Sequence, residues 1–332
     1  MIYFETFSVP TADTLFLLIL SILTLESAHS IRFLYQHFLS GITEKSLNVF
    51  YYACSYAKVD YSRFMNTTVR ITLKLIPDSL QTQPVFLCVD DTMVSKFGTK
   101  FENVSKLFDH AAHNGSNYLN GHCFVSVMLC VPVWNGDKVY YLSVPLGYRI
   151  WQKKESKLEL AASMIRQVMP EFHSKDHVII LCDSWYTKQN LISIVDEYPN
   201  LDLIGSARID SVMYDLAPAR TGHRGCPAKH GKRLSVETEF TFSNEKTGDY
   251  YTGVRRVLTK IFGNKEVLAY VTATENSEYR TKSVQEFRFE LSQGIRSQIF
   301  FATFVKNIET HIKSNAMTKA LKQLIHQQVY HL

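Results

Sequence analysis

The sequence predicts an α/β protein built around one mixed β-sheet, and three observations lead to this fold class. Apolar runs rich in β-branched and aromatic residues begin near residues 85, 123 and 138, and a hairpin signal separates the last two. Further apolar runs near residues 178 and 201 alternate with segments whose apolar residues follow helical spacing. Hydrophobic residues make up 46% of the 332 residues, which excludes an intrinsically disordered chain.

Residues 1–80 are predicted to form an N-terminal helical domain. Thr43 is the expected N-cap of one helix, and Asp60 or Ser62 is expected to begin another. The apolar run Leu15–Leu25 has 11 residues, whereas a membrane-spanning helix needs about 20. It is therefore predicted to be a buried core helix, and no membrane partner is expected. Helical bundles of this kind often bind DNA and equally often only stabilise a neighbouring domain, so both roles stay open.

Residues 81–208 are predicted to form the core of the sheet. Three antiparallel strands come first, and the last two are joined by an Asn-Gly-Asp turn at 135–137. A helix from Ser156 to Met169 follows, then a strand from Val178 to Tyr186, a helical segment, and a strand from Leu201 to Arg208. An antiparallel meander followed by parallel βαβ units is the order of an RNase H-like fold, so we expect that architecture.

The remaining chain is predicted to contain two further regions. Residues 209–275 should form a basic loop followed by a β-rich insertion, because strand-like runs continue as far as Thr274. Residues 276–332 lose this regularity and are predicted to be an irregular C-terminal segment. The six cysteines include no CxxC pair, which argues against a zinc site built on cysteine pairs and favours reduced thiols.

Acidic residues follow two of the apolar strands. Asp90 and Asp91 come after VFLCV, and Asp183 comes after VIILC. In an α/β sheet, ligands bind outside the carboxyl ends of the strands. Carboxylate oxygens are natural ligands for Mg²⁺, and two such ions can promote displacement at phosphorus. Asp is also a favoured turn and cap residue, so the acids alone leave a structural role open.

Asp90 and Asp91 cannot both face Asp183 if the strand continues through them, because neighbouring strand residues point to opposite faces. We favour Asp90, since the Asp-any-Thr spacing then places Thr92 on the same face. The choice between the two acids stays open at this point.

Three motifs stand out along the chain: VDDTMVSKFGTKF, GHCFVSVMLCVPVW and VIILCDSWYTKQNLI. Together they resemble bacterial insertion-sequence transposases of the DDE type, in the branch with a β-rich insertion between the second and third acids. The resemblance covers roughly residues 1–275. It implies an RNase H-like core, Mg²⁺ or Mn²⁺ as cofactor, and strand cleavage and transfer at transposon ends. It also implies that Asp90 is the first metal-binding acid and Asp183 the second.

The resemblance further implies double-stranded DNA as partner, a homodimer assembled on that DNA, and a bacterial cytoplasmic, nucleoid-associated location. A net charge of +5 permits a polyanionic partner without requiring one. The segment TGHRGCPAKHGKR is glycine-rich and basic, and it resembles an AT-hook core in which Cys226 replaces the second arginine. Such a segment could bind a narrow minor groove, or it could be a solvated loop. The expected DNA contacts are Arg220, Arg224, Lys229, Lys232 and Arg233.

The third acid of the family is the point where the sequence departs from the pattern. Relatives carry Tyr, Arg, Glu and Lys at fixed spacing on a helix after the insertion, and this chain lacks that spacing. Glu286 is the candidate third catalytic acid, with Glu290 four residues later on the same predicted helix. We therefore expect a C-terminally truncated or frameshifted copy. The alternatives to an active transposase are a non-catalytic DNA-binding remnant and a nuclease or resolvase on the same fold.

Overall fold

The computed structural model describes residues 7–25, 30–98, 100–108, 117–207, 211–219, 226–242, 251–263, 265–273 and 288–292. The described residues up to Lys74 form one compact unit, and those from Leu75 onward form another. This division lies close to residue 80, where the predicted helical domain ends.

The first unit is helical within its described residues. Its helices are α1 (Val9–Thr24), α2 (Ile31–Leu34), α3 (Ser40–Ile42), α4 (Leu47–Ser55) and α5 (Tyr61–Leu73), with a π-helical turn at Tyr35–Leu39 between α2 and α3. Asp60 caps α5 as predicted, because its Oδ1 accepts a hydrogen bond from the Arg63 N–H at 2.9 Å. The predicted cap at Thr43 is wrong. Its hydroxyl accepts from the Lys45 N–H in a local turn, and α4 begins only after Ser46.

Helix α1 is half-buried, so the prediction of a buried core helix is only partly correct. Leu18 packs with Leu34, Leu39 and Phe50 in the core of this unit. On the other face, Leu23 is 78% exposed. Within the described part of the chain, no helix combines the length and apolar character needed to cross a bilayer.

The second unit contains the sheet. Its described strands are β1 (Val85–Ser95), β2 (Ser105–Phe108), β3 (Tyr118–Asn135), β4 (Lys138–Ile150), β5 (Val178–Cys182), β6 (Leu201–Ala207), β7 (Met213–Tyr214), β8 (Arg233–Leu234), β9 (Tyr251–Thr259), β10 (Glu266–Ala273) and β11 (Arg288–Ser292). Its described helices are α6 (Lys157–Val168), α7 (Gln189–Ile192) and α8 (Val236–Glu239), with 3₁₀ turns at Asp78–Leu80, Met169–Glu171, Ser193–Glu197 and Lys260–Phe262.

The predicted α/β class is confirmed, because the described strands form one mixed sheet with helical crossovers. Strand β3 pairs antiparallel with β1 along one edge and with β4 along the other, while β5 and β6 continue from β1 in parallel. The meander and the βαβ units therefore lie where the sequence predicted them. The short strand β2, which also pairs with β3, was not predicted.

The strands after β6 extend the same sheet. Strand β11 pairs antiparallel with β6, and the order continues through β10, β9, β7 and β8. Strands β7 to β10 come from residues 209–275, where a β-rich insertion was predicted, whereas β11 lies within residues 276–332, which were predicted to be irregular.

Continuous burial explains the composition of the central strands. All five residues of β5 are buried, as are residues 85–90 of β1. Strands covered on both faces carry unbroken apolar runs rather than alternating ones. Helix α6 packs on β3 and buries Ala161, Met164 and Ile165.

Two predicted strand ends are wrong. The first strand does not end at Asp90 but runs on to Ser95, because β3 continues to pair with it as far as Gly121. The strand β5 ends at Cys182 rather than Tyr186, because Asp183 begins a turn.

Candidate active site

Asp90 and Asp183 lie on neighbouring parallel strands at the same level of the sheet. The β1–β5 pairing ends with Val89 opposite Cys182, so Asp90 and Asp183 are the next residues along the two strands. Asp90 lies inside β1 and is 5% exposed, whereas Asp183 directly follows β5 and is half-buried. The strand adjacency on which the predicted acid pair depended is therefore present.

A turn fixes Asp183. Its Oδ1 accepts hydrogen bonds from the N–H groups of Trp185 at 2.9 Å and Tyr186 at 3.1 Å. Its backbone carbonyl accepts from the Thr187 hydroxyl at 2.8 Å. This is the turn-forming use of Asp that the residue type alone allowed. The other carboxylate oxygen, Oδ2, makes no hydrogen bond with the described residues and can serve as a ligand.

The approach of β6 to this turn depends on a glycine. Gly205 pairs with Cys182, and a Cβ at position 205 would lie 2.3 Å from Thr187 Oγ1. Thr187 is β-branched and has few rotamers into which it could move. Any larger side chain at position 205 would therefore displace the residue whose hydroxyl holds Asp183.

Asp91 faces the opposite side of β1 and forms a partly buried ion pair. Lys157 Nζ lies 3.0 Å from Asp91 Oδ2, and the two side chains are 12% and 13% exposed. The Tyr186 hydroxyl donates to Asp91 Oδ1 at 3.1 Å, and the Cys123 thiol lies 3.4 Å from Oδ2. Asp91 thus has a structural role, which favours Asp90 over Asp91 as the metal-binding acid.

Burial determines the protonation of the groups around Asp91. Burial, followed by the negative charge of Asp91, raises the pKa of the Tyr186 hydroxyl. Burial likewise raises the pKa of Cys123 to about 12, with Asp91 adding to the shift and Lys157 opposing it. Burial also raises the pKa of Cys182 to about 12. These three groups stay protonated near neutral pH and are therefore not nucleophiles, and Tyr186 and Cys123 donate hydrogen bonds to Asp91.

The third predicted acid is not brought to this pair by the described structure. Glu286 lies outside the described residues. The prediction that Glu290 lies on a helix is wrong, because residues Arg288–Ser292 form β11, where Glu290 pairs with Ser206 and Tyr270. Across the described ranges, no three His, Cys, Asp or Glu side chains gather as a metal site.

The five predicted DNA-contact residues differ in whether the structure describes them and in whether they form an ion pair. Two of the five lie outside the described residues: Arg220 and Arg224. Lys229 and Arg233 are exposed. Lys232 is also exposed, but its Nζ lies 2.9 Å from Glu239 Oε1 in an ion pair.

Sequence reasoning missed Lys157 and Tyr186. The Asp91–Lys157 contact joins residues 66 positions apart, and no local pattern predicts such a pair. The sequence did offer one signal for Lys157: Ser156 is the N-cap of α6, so Lys157 is the first residue of that helix.

The chain belongs to the DDE superfamily endonucleases, whose sequence model matches residues 54–260, more than half of the protein. The family thus defines the class as a DDE-type nuclease, which implies a DNA substrate. Nucleases of this type use divalent metals.

Among solved structures, the crystal structure of the NurA nuclease from Sulfolobus solfataricus matches 78% of this chain and 86% of its own. The two chains share 8% sequence identity, and the TM-score is 0.33. No curated protein matches the chain.

Proposed function

We propose that this protein is a transposase that cleaves and transfers DNA strands at the ends of a bacterial insertion sequence. Family membership supplies the endonuclease class and the DNA substrate. The observation that carries the proposal is the β1–β5 register, which sets Asp90 level with Asp183 on adjacent parallel strands.

We infer an RNase H-like core for this nuclease. The described order β4–β3–β1–β5–β6, with three antiparallel strands followed by two parallel ones, supports this assignment. The helix α6 connects β4 to β5, and α7 lies between β5 and β6. In such a sheet the acids of the central strand and of its parallel neighbour lie at the same level, as Asp90 inside β1 and Asp183 just after β5 do here.

The residues at this position fit a divalent cation. Asp90 is a nearly buried carboxylate, and Asp183 keeps one carboxylate oxygen outside its turn hydrogen bonds. Both supply hard oxygen ligands, which Mg²⁺ or Mn²⁺ prefers. Asp91 fits less well, because the Lys157 ammonium already occupies its Oδ2. Asp90 and Asp183 would therefore hold the ion.

When bound, the ion supplies Lewis-acid catalysis at the scissile phosphodiester. The chain's own residues orient that centre. The turn N–H groups hold the Asp183 carboxylate in one position, and the Asp91–Lys157 pair fixes the N-terminal end of α6 beside β1. Positioning of this kind is a principal contribution of proteins to phosphodiester chemistry.

Exposed basic residues would hold the duplex. Lys229 and Arg233 are available to phosphates, and we extend this role to Arg220 and Arg224. We further propose that the N-terminal helical unit contributes to DNA binding, and that two copies pair the two transposon ends in the bacterial nucleoid.

Cleavage of labelled DNA carrying the element's terminal repeats tests the proposal. We expect Mg²⁺- or Mn²⁺-dependent nicking that falls at least about 100-fold in Asp90→Asn and in Asp183→Asn, since even outer-sphere partners of a metal contribute 10–100-fold. Duplex binding should persist in both variants. Glu171→Gln, a change at an acid in the 3₁₀ turn after α6, is the matched control and should cleave normally. Unchanged cleavage in Asp90→Asn would show that the metal-site assignment is wrong.

A further inference from the structure

A band of lysine and aromatic side chains crosses the surface beside Asp91 and Asp183. We call it the lysine–aromatic band. It comprises three lysines and three aromatic residues, joined through Lys157: Lys106, Tyr118, Trp151, Lys153, Trp185 and Lys188.

The inner end of the band begins in the acid turn itself. The Trp185 N–H donates to Asp183 Oδ1, while its indole is 37% exposed. Lys157 Nζ and Lys188 Nζ lie 4.3 Å and 4.4 Å from the centroid of that ring. Since Lys157 also pairs with Asp91, the indole is held next to both acids.

The outer half follows through direct contacts. Lys157 Nζ and Lys153 Nζ each lie 5.7 Å from the Trp151 ring centroid. Lys153 Nζ donates to the Lys106 carbonyl at 3.3 Å, and Lys106 Nζ lies 4.6 Å from the Tyr118 ring, which is 47% exposed. The contacts are therefore continuous from the acid turn to the start of β3.

Backbone conformation at Lys153 gives a second, independent observation. Its φ is +62°, in the left-handed region that non-glycine residues seldom adopt. Such conformations persist where the surrounding structure enforces them, and they cluster at ligand-binding sites. Here the strained residue lies at the centre of the band.

The three lysines of the band have no carboxylate partner within the part of the chain that the structure describes. Lys106, Lys153 and Lys188 make no ion pair with any residue that the structure describes, in contrast to Lys157 and Lys232. Exposed lysines without carboxylate partners next to exposed aromatic rings favour a ligand that offers both negative charge and flat apolar faces.

We propose that the band binds a single-stranded stretch of the DNA substrate, with bases on the aromatic rings and phosphates on the lysines. The inference rests on the proposed function and specifies the substrate as DNA opened next to the scissile phosphate. Base stacking on aromatic side chains tolerates any sequence but requires unpaired bases, which an intact duplex does not present. A lysine already over a ring can move to the phosphate of the nucleotide that stacks there.

Metal-free binding experiments on the full chain test this proposal without requiring cleavage. Fluorescence anisotropy would compare a labelled oligothymidine of about 12 nucleotides with a hairpin duplex of equal charge. We expect Trp185→Ala to weaken single-strand binding about 5- to 100-fold, which corresponds to the usual stacking free energy of one base on an aromatic side chain. Duplex binding should change less than about twofold. Lys153→Glu should act in the same direction.

Matched controls lie at the turn between β3 and β4, at the other end of β3 from Tyr118. Trp134→Ala removes another exposed tryptophan and Lys138→Glu reverses another exposed lysine, and neither should change single-strand affinity. Trp185→Phe keeps an aromatic face and should retain most of the binding, which separates stacking from a folding defect.

Two results would overturn the inference: wild-type single-strand affinity in both Trp185→Ala and Tyr118→Ala, or an equal loss on the duplex and the single strand. Its failure is distinguishable from that of the proposed function. A chain that binds single strands through the band yet never cleaves would refute only the transposase assignment, whereas Asp183-dependent cleavage with normal binding in the band variants would refute only the band.

Discussion

At the scale of single residues, Asp90 and Asp91 show how strand geometry separates two chemically identical neighbours. Asp90 lies level with Asp183, while Asp91 points to the face of α6 and pairs with Lys157. A buried ion pair contributes little net stability in itself, but removing one partner leaves an uncompensated charge in the protein interior.

We therefore predict that Lys157→Met destabilises the second unit by about 1–3 kcal/mol, because the partly buried Asp91 would lose its counter-ion. Adding Asp91→Asn should recover most of this loss, since the amide oxygen can still accept from the Tyr186 hydroxyl. Urea unfolding followed by tryptophan fluorescence measures the effect specifically, because all three tryptophans lie beyond Leu75. Equal destabilisation in the single and the double variant would refute the ion-pair argument.

At the scale of elements, α6 connects local sequence to the site. Ser156 Oγ accepts from the Glu159 N–H at 3.1 Å, and Glu159 Oε2 accepts from the Ser156 N–H at 2.8 Å. This capping box satisfies two backbone donors at the helix start. It also fixes the position of Lys157, and hence the ion pair beside β1.

Ser156→Ala should lower the free energy of unfolding by about 1 kcal/mol, the usual cost of losing an N-cap side chain. Glu159→Gln keeps an acceptor and should cost less. Hydrogen bonds from Ser156 lower the pKa of Glu159, so the contribution of the charged box is present at neutral pH and is lost on acidification. Tryptophan-detected urea unfolding at pH 7 and at acidic pH would check this, and a Ser156→Ala cost that grows on acidification would contradict it.

At the scale of the whole molecule, a net charge of +5 matters less than its distribution. Some cations are neutralised locally: Arg255 pairs with Asp215 at 2.8 Å, and Lys232 pairs with Glu239. Others, such as Lys229 and Arg233, remain exposed to solvent. Only exposed cations such as Lys229 and Arg233 can bind DNA phosphates, and so release their counter-ions, without first breaking an ion pair within the protein.

Duplex affinity should therefore fall steeply with salt. The double variant Lys229→Ala/Arg233→Ala should reduce the slope of log K against log salt by about 2, at roughly 0.9 per lost phosphate contact. Lys232→Ala is the matched control and should change the slope by less than half as much, because the Lys232 ammonium already forms an ion pair with Glu239. Titration of hairpin DNA at several salt concentrations gives the slopes, and an unchanged slope in the double variant would exclude these residues from the DNA interface.

The sequence by itself determined the class of the fold and the identity of the central strands. The runs VFLCV and VIILC are continuous because β1 and β5 are buried on both faces, and this burial leaves a direct mark on composition. The helix start at Ser156 was equally visible, because capping depends on residues three positions apart. Asp90 and Asp183 could be found from the sequence because each directly follows one of these apolar runs.

Tertiary structure alone decided which strands pair, where β1 ends, and what Asp91 does. The length of β1 depends on its partner β3, and the Asp91–Lys157 contact joins residues 66 positions apart. The residues around Glu290 form a strand, not the predicted helix, where they pair with β6 and β10. Pairing energy comes from partners distant in sequence, so local periodicity could not reveal these features.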